Sequence, residues 1–161
     1  MSRDILFAIK PKYAEMIYVG EKKYELRKKM PQLFAIGEDL YSLQRNMKYR
    51  VFIYESSPVQ RVTGYMIFDE IMYGDVDSVW EKYQEFLGVT LKEYTEYTDN
   101  QRWIYAARIA KVFEFDEPYR LERKPPQNFM YTDRDIYPQT KEVIKNETAE
   151  IGLELYYVKG R

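Results

Sequence analysis

Cysteine and histidine are both absent from the 161 residues. Without cysteine there are no disulfides and no metal sites built on sulfur. Without histidine there is no imidazole ligand, no Ser-His-Asp or Cys-His pair and no histidine general base. Any catalysis must therefore run on Lys, Glu, Asp, Tyr, Ser or Thr. Any metal would need oxygen ligands. The acidic span from Asp69 to Glu85 lacks the alternating oxygen ligands and central glycine of a calcium loop, and it reads as a solvated acidic helix. Neither a metal nor a cofactor is expected.

Long apolar runs are missing too. The longest, Ile5 to Ile9 and Trp103 to Ala107, stop at five residues, far short of the roughly 20 that span a bilayer. No signal-peptide pattern opens the chain, so the cytoplasm is the expected location and no membrane partner is expected. There is no internal repeat, low-complexity tract or linker, and the length suits one domain.

Of what is present, charge is the most informative. The net charge is −1, which argues against non-specific coating of duplex DNA. Its distribution is uneven: residues 1–50 carry 11 basic and 6 acidic side chains, whereas residues 51–100 carry 3 and 10. The basic excess gathers around Gly20-Glu21-Lys22-Lys23-Tyr24-Glu25-Leu26-Arg27. Gly20 suits the end of a helix. Beyond it the alternation predicts a strand, with Tyr24 and Leu26 on one face and Lys23, Glu25 and Arg27 on the other. Lys22 is expected at the mouth of that row. The bland alternative is a solvated strand face with a weak Glu25–Arg27 pair, worth roughly 0–1 kcal/mol.

The remaining elements follow from pattern and punctuation. Ile5 to Ile9 reads as a buried strand. Pro11 opens a short helix carrying Tyr13, Met16 and Ile17 on one side. Tyr49 to Tyr54 reads as a central strand, and Arg61 to Tyr73 as a long one bent at Gly64. Asp75 to Phe86 reads as a helix capped by Asp75 or Asp77. Thr90-Leu91-Lys92-Glu93 is a capping box opening another, with Leu91, Tyr94 and Tyr97 inward. This acidic pair is expected to face away from any polyanion. Trp103 to Phe115 reads as a strand stopped by Glu117-Pro118. Lys124 to Phe129 reads as an irregular loop, Pro138 to Ala149 as a helix and Leu153 to Val158 as a last strand. Few helices separate the strands, so the fold class is α+β: a mostly β core closing toward a small barrel, with helices on its edges.

Ile9-Lys10-Pro11, Ala14, Ile17, the spacing Gly20-x-Lys22-x-x-Glu25-x-Arg27 and the strand Val51 to Tyr54 together resemble the ASCH domain, of the PUA-like superfamily. Thr63-Gly64 and Trp103 to Phe115 fit its glycine-bearing and closing strands. The resemblance covers roughly residues 5 to 120. It implies a small mixed or antiparallel PUA-like β-barrel with flanking helices and a cleft beside the motif. Residues 1–161 then form a single domain, with 121–161 a C-terminal extension packed on the barrel. The family implies RNA binding, and for some small members an amidohydrolase activity on N4-acetylcytidine carried by a lysine, a threonine and a glutamate. Lys22 matches the lysine. The threonine position is occupied by Glu25, a departure that weakens the hydrolase reading, and the glutamate aligns with no single position here.

RNA, or a nucleotide or nucleoside, is accordingly the expected partner. The expected nucleic-acid-binding residues are Lys10, Lys22, Glu25, Arg27, Arg50, Tyr54 and Ser57; Lys22 and Glu25 are the catalytic candidates. Arg27 offers a fork for phosphate, Glu25 an acceptor for a base amino group, and Lys22 a phosphate contact or a base. Tyr54 reads equally as a stacking platform or as a core tyrosine. Lys10 and Arg50 read as surface cations or as parts of the basic patch. Ser56 and Ser57 are turn residues that no histidine can activate. Gln127, Asn128 and Phe129 either pack their own loop or close over the cleft. An alternative of another class is a protein-interaction module.

Overall fold

A computed structural model describes residues 4–31, 34, 43–45, 49–132 and 140–145. The order is β1 (Asp4–Ile9), α1 (Pro11–Tyr18), β2 (Tyr24–Arg27), β3 (Leu43–Arg45), β4 (Val51–Glu55), β5 (Arg61–Asp75), α2 (Val76–Tyr83), α3 (Leu91–Tyr97), β6 (Trp103–Tyr119), β7 (Phe129–Thr132) and β8 (Thr140–Lys145). A short 3₁₀ turn, Gln84–Phe86, follows α2.

One mixed sheet runs β2-β6-β5-β4-β1-β7, with β3 added on β5 and β8 on β6. Among the described residues only β1 and β4 pair in parallel, and the other pairings are antiparallel. The sheet curls into a half-barrel flanked by α1, α2 and α3, the α+β architecture expected. Its curvature comes from β5 and β6, which are 15 and 17 residues long. Register shifts interrupt their ladder between Val62 and Gly64 and twice between Ile67 and Glu70. Each such irregularity adds bend and twist. At Gly64 the backbones come so close that a Cβ would lie 2.2 Å from the Phe113 carbonyl oxygen and 2.6 Å from the Tyr18 hydroxyl. Only glycine fits there.

Local chemistry sets the helix ends. Pro11 occupies the first turn of α1, and Gly20 follows its end at φ 84°. The Asp75 carboxylate accepts from Ser78 N at 2.8 Å and caps α2. Thr90 and Glu93 complete the capping box of α3. The main core lies inside the curl, where Ile5, Phe7 and Ile9 of β1 meet Ile53, Phe68 and Ile109 under Ala14 and Ile17 of α1. A second core packs α2 and α3 on Tyr24, Leu26, Ile104 and Ala106. A third, around Leu6, Phe52, Val62 and Phe115, includes Tyr54.

Four expectations need correction. Thr140–Lys145 is a strand, not part of a helix over 138–149: it pairs with β6 from Lys111↔Lys145 to Phe115↔Thr140. Three β-branched residues and an otherwise open stretch of β6 outweigh helical spacing there. Glu117-Pro118 does not stop β6, because Pro118 lies beyond the span that pairs with β8, where a missing N–H is tolerated. Phe129 is no loop residue but opens β7, antiparallel to β1. Leu91 and Tyr97 are exposed, whereas Tyr94 is buried as expected. The strand expected over 153–158 lies outside the described residues.

Candidate functional site

All four residues of β2 are buried, and so is Lys22 just before it. The solvated strand face is therefore excluded. The alternation itself is as read: Tyr24 and Leu26 join the core under α2 and α3, while Glu25 and Arg27 point to the opposite face. Lys22, Glu25 and Arg27 are only 3%, 6% and 8% exposed, which places three charged groups at the bottom of a cleft rather than along its mouth.

Arg27 closes the half-barrel. β2 and β7 are the two ends of the sheet path. Arg27 Nη1 donates to Asn128 Oδ1 at 2.7 Å, just before β7, and Nη2 donates to the Ala8 carbonyl in β1 at 3.0 Å. Its guanidinium lies 4.3 Å over the Phe7 ring. Most of its donors are thereby committed across the seam, which leaves little of the fork that a phosphate would need. Nε is 3.7 Å from Glu25 Oε1, and it is buried without a hydrogen bond among the described residues. Glu25 Oε2 is likewise buried with no partner among them. Buried polar atoms are seldom left so.

Lys22 Nζ donates to the Leu87 carbonyl at 2.5 Å and sits 5.4 Å from the Tyr13 ring centre. Burial pushes its pKa below the ordinary lysine value, and Arg27 adds to that; Glu25 and Glu93 oppose it. The loss of hydration outweighs two nearby carboxylates.

The cleft around these groups has a volume of about 680 Å³, within the range of small-molecule sites. Its rim carries Lys10, Lys12 and Lys28 from one side and Glu93, Glu96 and Tyr97 from α3 on the other. Glu93 Oε2 accepts from Lys12 Nζ and, at 2.7 Å, from Tyr13 Oη. Those donors, led by Lys12 and joined by Thr90 N, hold the Glu93 pKa down to about 2. So α3 does not face away from the basic strip; it forms the opposite wall. The sequence hides this because the Lys12–Glu93 contact joins positions 81 residues apart.

Of the expected binding residues, Lys10, Lys22, Glu25 and Arg27 line this cleft. Ser56 lines it too, whereas Ser57 sits exposed in the neighbouring turn. Tyr54 is packed in the third core, away from the cleft. Arg50 clamps the buried Asp4 carboxylate at 2.7 Å and lies over the Phe52 and Tyr65 rings. Residue type selected these last three; packing on the third core separates Tyr54 and Arg50 from the site, and the turn after β4 carries Ser57 into solvent. Lys12, Tyr13, Glu93 and Tyr97 are lining residues that sequence pattern does not select, although the Thr90–Glu93 capping box marks where α3 begins. Gln127 reaches the cleft, and Asn128 holds Arg27. Among the described residues, no three carboxylates gather closely enough to hold a metal ion. No described helix is long and apolar enough to cross a membrane.

The curled mixed sheet with its three flanking helices is the fold of solved ASCH structures. The crystal structure of ASCH from Zymomonas mobilis matches at a TM-score of 0.65 and 21% identity, over 82% of this chain and 89% of that one. A variant of the same protein matches at 0.65 and 20%, over 83% and 92%. The family described as a domain of unknown function, DUF365, matches residues 3–133, and the chain belongs to that family. Among curated proteins, the ASCH domain-containing ribonuclease of Zymomonas mobilis is 26% identical over 95 residues, or 59% of this chain and 56% of that protein. The large ribosomal subunit protein uL22 of Ureaplasma parvum is 28% identical over 90 residues, or 53% and 29%. The chain thus spans about half the length of the first relative and under a third of the second.

Proposed function

We propose that the chain binds RNA by taking one nucleotide into the cleft between β2, α1 and α3. The observation that carries this is the pair of buried groups at its floor: a lysine with donors to spare, and a carboxylate oxygen with no donor among the described residues. A fold does not keep such a pair for stability, since an unsatisfied buried acceptor costs about 1–3 kcal/mol. A ligand with both an acceptor and an N–H would complete it. Tyr13 and Tyr97 offer ring faces, and Lys10 and Lys28 offer cations for phosphate at the rim. The similarity to a protein named as a ribonuclease supports an RNA ligand.

Glu93 and Glu96 on the facing wall limit how much polyanion the rim accepts. Lys12 is already engaged with Glu93, which leaves about two lysines for phosphate. On single strands each neutralised phosphate contributes about −0.7 to the slope of log K against log salt, so a shallow slope of about −1.4 is expected. Titration of single-stranded RNA from low to high salt tests this. No binding at low salt to any RNA would overturn the proposal and would favour a protein-interaction module.

The depressed pKa of Lys22 favours a second reading, in which the bound nucleotide is also a substrate. In its deprotonated form, which burial favours, the amine takes a proton from water or from a sugar hydroxyl. Acetate release from N4-acetylcytidine, or scission of bound RNA, would support it if lost in Lys22→Met. Intact RNA and intact acetylcytidine after prolonged incubation would leave binding alone.

A further inference from the structure

The two oxygens of Glu25 have different surroundings. Oε1 faces Arg27 Nε at 3.7 Å, close enough for a slight adjustment to make that bond. Oε2 has nothing to accept from among the described residues, although Glu25 lines the cleft. The terminal torsion of glutamate is broad and roughly two-fold, so Oε2 turns toward a ligand without disturbing the strand. Lys22 Nζ uses one N–H on the Leu87 carbonyl, and an ammonium carries three. The floor therefore presents, within one cleft, an acceptor with no donor among the described residues and a donor with N–H groups to spare.

Resting on the nucleotide-binding reading above, we infer that the cleft selects nucleobases carrying an exocyclic amino group and rejects uracil. In cytosine, adenine and guanine, an amino N–H lies beside a ring-nitrogen acceptor. The amino group would donate to Glu25 Oε2, and the adjacent acceptor would take Lys22 Nζ–H. Uracil has a single edge N–H flanked by two carbonyl oxygens, and these bring partial negative charge against the carboxylate. An exocyclic amino group stands clear of such a flanking pair, and carboxylates read cytosine by accepting from its amino group. The rim lysines read only phosphate and do not distinguish the bases.

The test uses the full chain and the four ribonucleoside 5′-monophosphates, titrated calorimetrically at low salt. At least one of CMP, AMP and GMP is expected to bind tenfold or more tightly than UMP. Glu25→Gln, which is nearly isosteric and can donate to a uracil carbonyl, is expected to shrink that ratio at least fivefold. Glu25→Asp keeps the carboxylate and is expected to retain the preference at reduced affinity. Near-ultraviolet circular dichroism checks that each variant is folded. If mononucleotides are too weak but RNA binds, competition among oligo(A), oligo(C) and oligo(U) gives the same ratio. UMP binding as tightly as the best amino-bearing nucleotide would overturn the inference, as would a ratio unchanged in folded Glu25→Gln. Failure of every nucleotide and RNA to bind would instead sink the parent reading.

Discussion

Two buried arginines sit on neighbouring strands and do different work. Arg108 on β6 is 4% exposed. It grips Asp69 with Nε at 2.6 Å and Nη2 at 2.5 Å, and Nη1 lies 3.5 Å from Glu70. Arg27 on β2 is buried nearly as deeply, yet its hydrogen bonds go to two carbonyl oxygens and an amide, and the Glu25 carboxylate beside it is 3.7 Å away. Around Arg108 the acidic groups outnumber the cation. Around Arg27 a second cation, Lys22, joins the carboxylate of Glu25. Charge that the fold satisfies internally is architecture; charge left over at the floor of a cleft is what the proposed nucleotide would meet.

The sharpest way to break this comparison is to remove each arginine. Arg108→Ala is expected to cost about 3–5 kcal/mol in urea denaturation, since it leaves the buried Glu70 carboxylate without its cation and breaks the bonds to half-exposed Asp69. Arg27→Ala is expected to cost less, about 2–3 kcal/mol, because its bonds go to neutral acceptors and Lys22 remains as a cation for the buried Glu25 carboxylate. Equal losses would show that both arginines are purely structural.

Lys22→Met is expected to change stability at pH 7 by no more than about 1 kcal/mol, with the lost bond to Leu87 offset by relief of a buried cation. Nucleotide binding should nevertheless disappear. The pH dependence carries its own signature. Lys22 has a folded pKa below its unfolded value of 10.5, so between the two the unfolded chain binds more protons. Stability from this group therefore rises with pH through that window, and the methionine variant should lose that slope.

The smallest effect belongs to the rim. Glu93 titrates near 2 in the folded chain, against an ordinary glutamate value of 4.5. Its contribution is fully present above 4.5 and is lost as pH falls through about 2. Glu93→Gln should flatten that acid limb and remove the same amount of stability at pH 7, a small one because the rim contact is screened by solvent. A large loss at pH 7 would mean that the Lys12–Glu93 contact does more than bridge α1 and α3.

Much of the scaffold was legible because its signals are local. The run from Ile5 to Ile9, Pro11 ahead of α1, Gly20 behind it and the Thr90 capping box each act within a few residues. The bend at Gly64 was legible for the same reason. β7 and β8 were not, since each is a strand because of the edge it covers, and no short window records a distant edge. At the site, the choice of Lys22, Glu25 and Arg27 came from spacing and family resemblance. Their burial, the commitment of Arg27 to Asn128, and the swing of α3 over Lys12 depend on contacts between distant positions. Tyr54 and Arg50 show the converse: a plausible residue type says nothing about which face of a sheet it occupies.

The closure made by Arg27 also bears on kinetics. Its bond to Asn128 joins positions 101 residues apart, and chains dominated by such distant pairings fold on millisecond to second timescales. The seam is expected to form after the local hairpin of β4 and β5, late enough to be absent from the rate-limiting step. A ligand seated beside that seam would then find no purchase on the transition state. It should lengthen the lifetime of the folded molecule by slowing unfolding and leave the refolding rate untouched. Stopped-flow traces with and without bound nucleotide would separate the two arms.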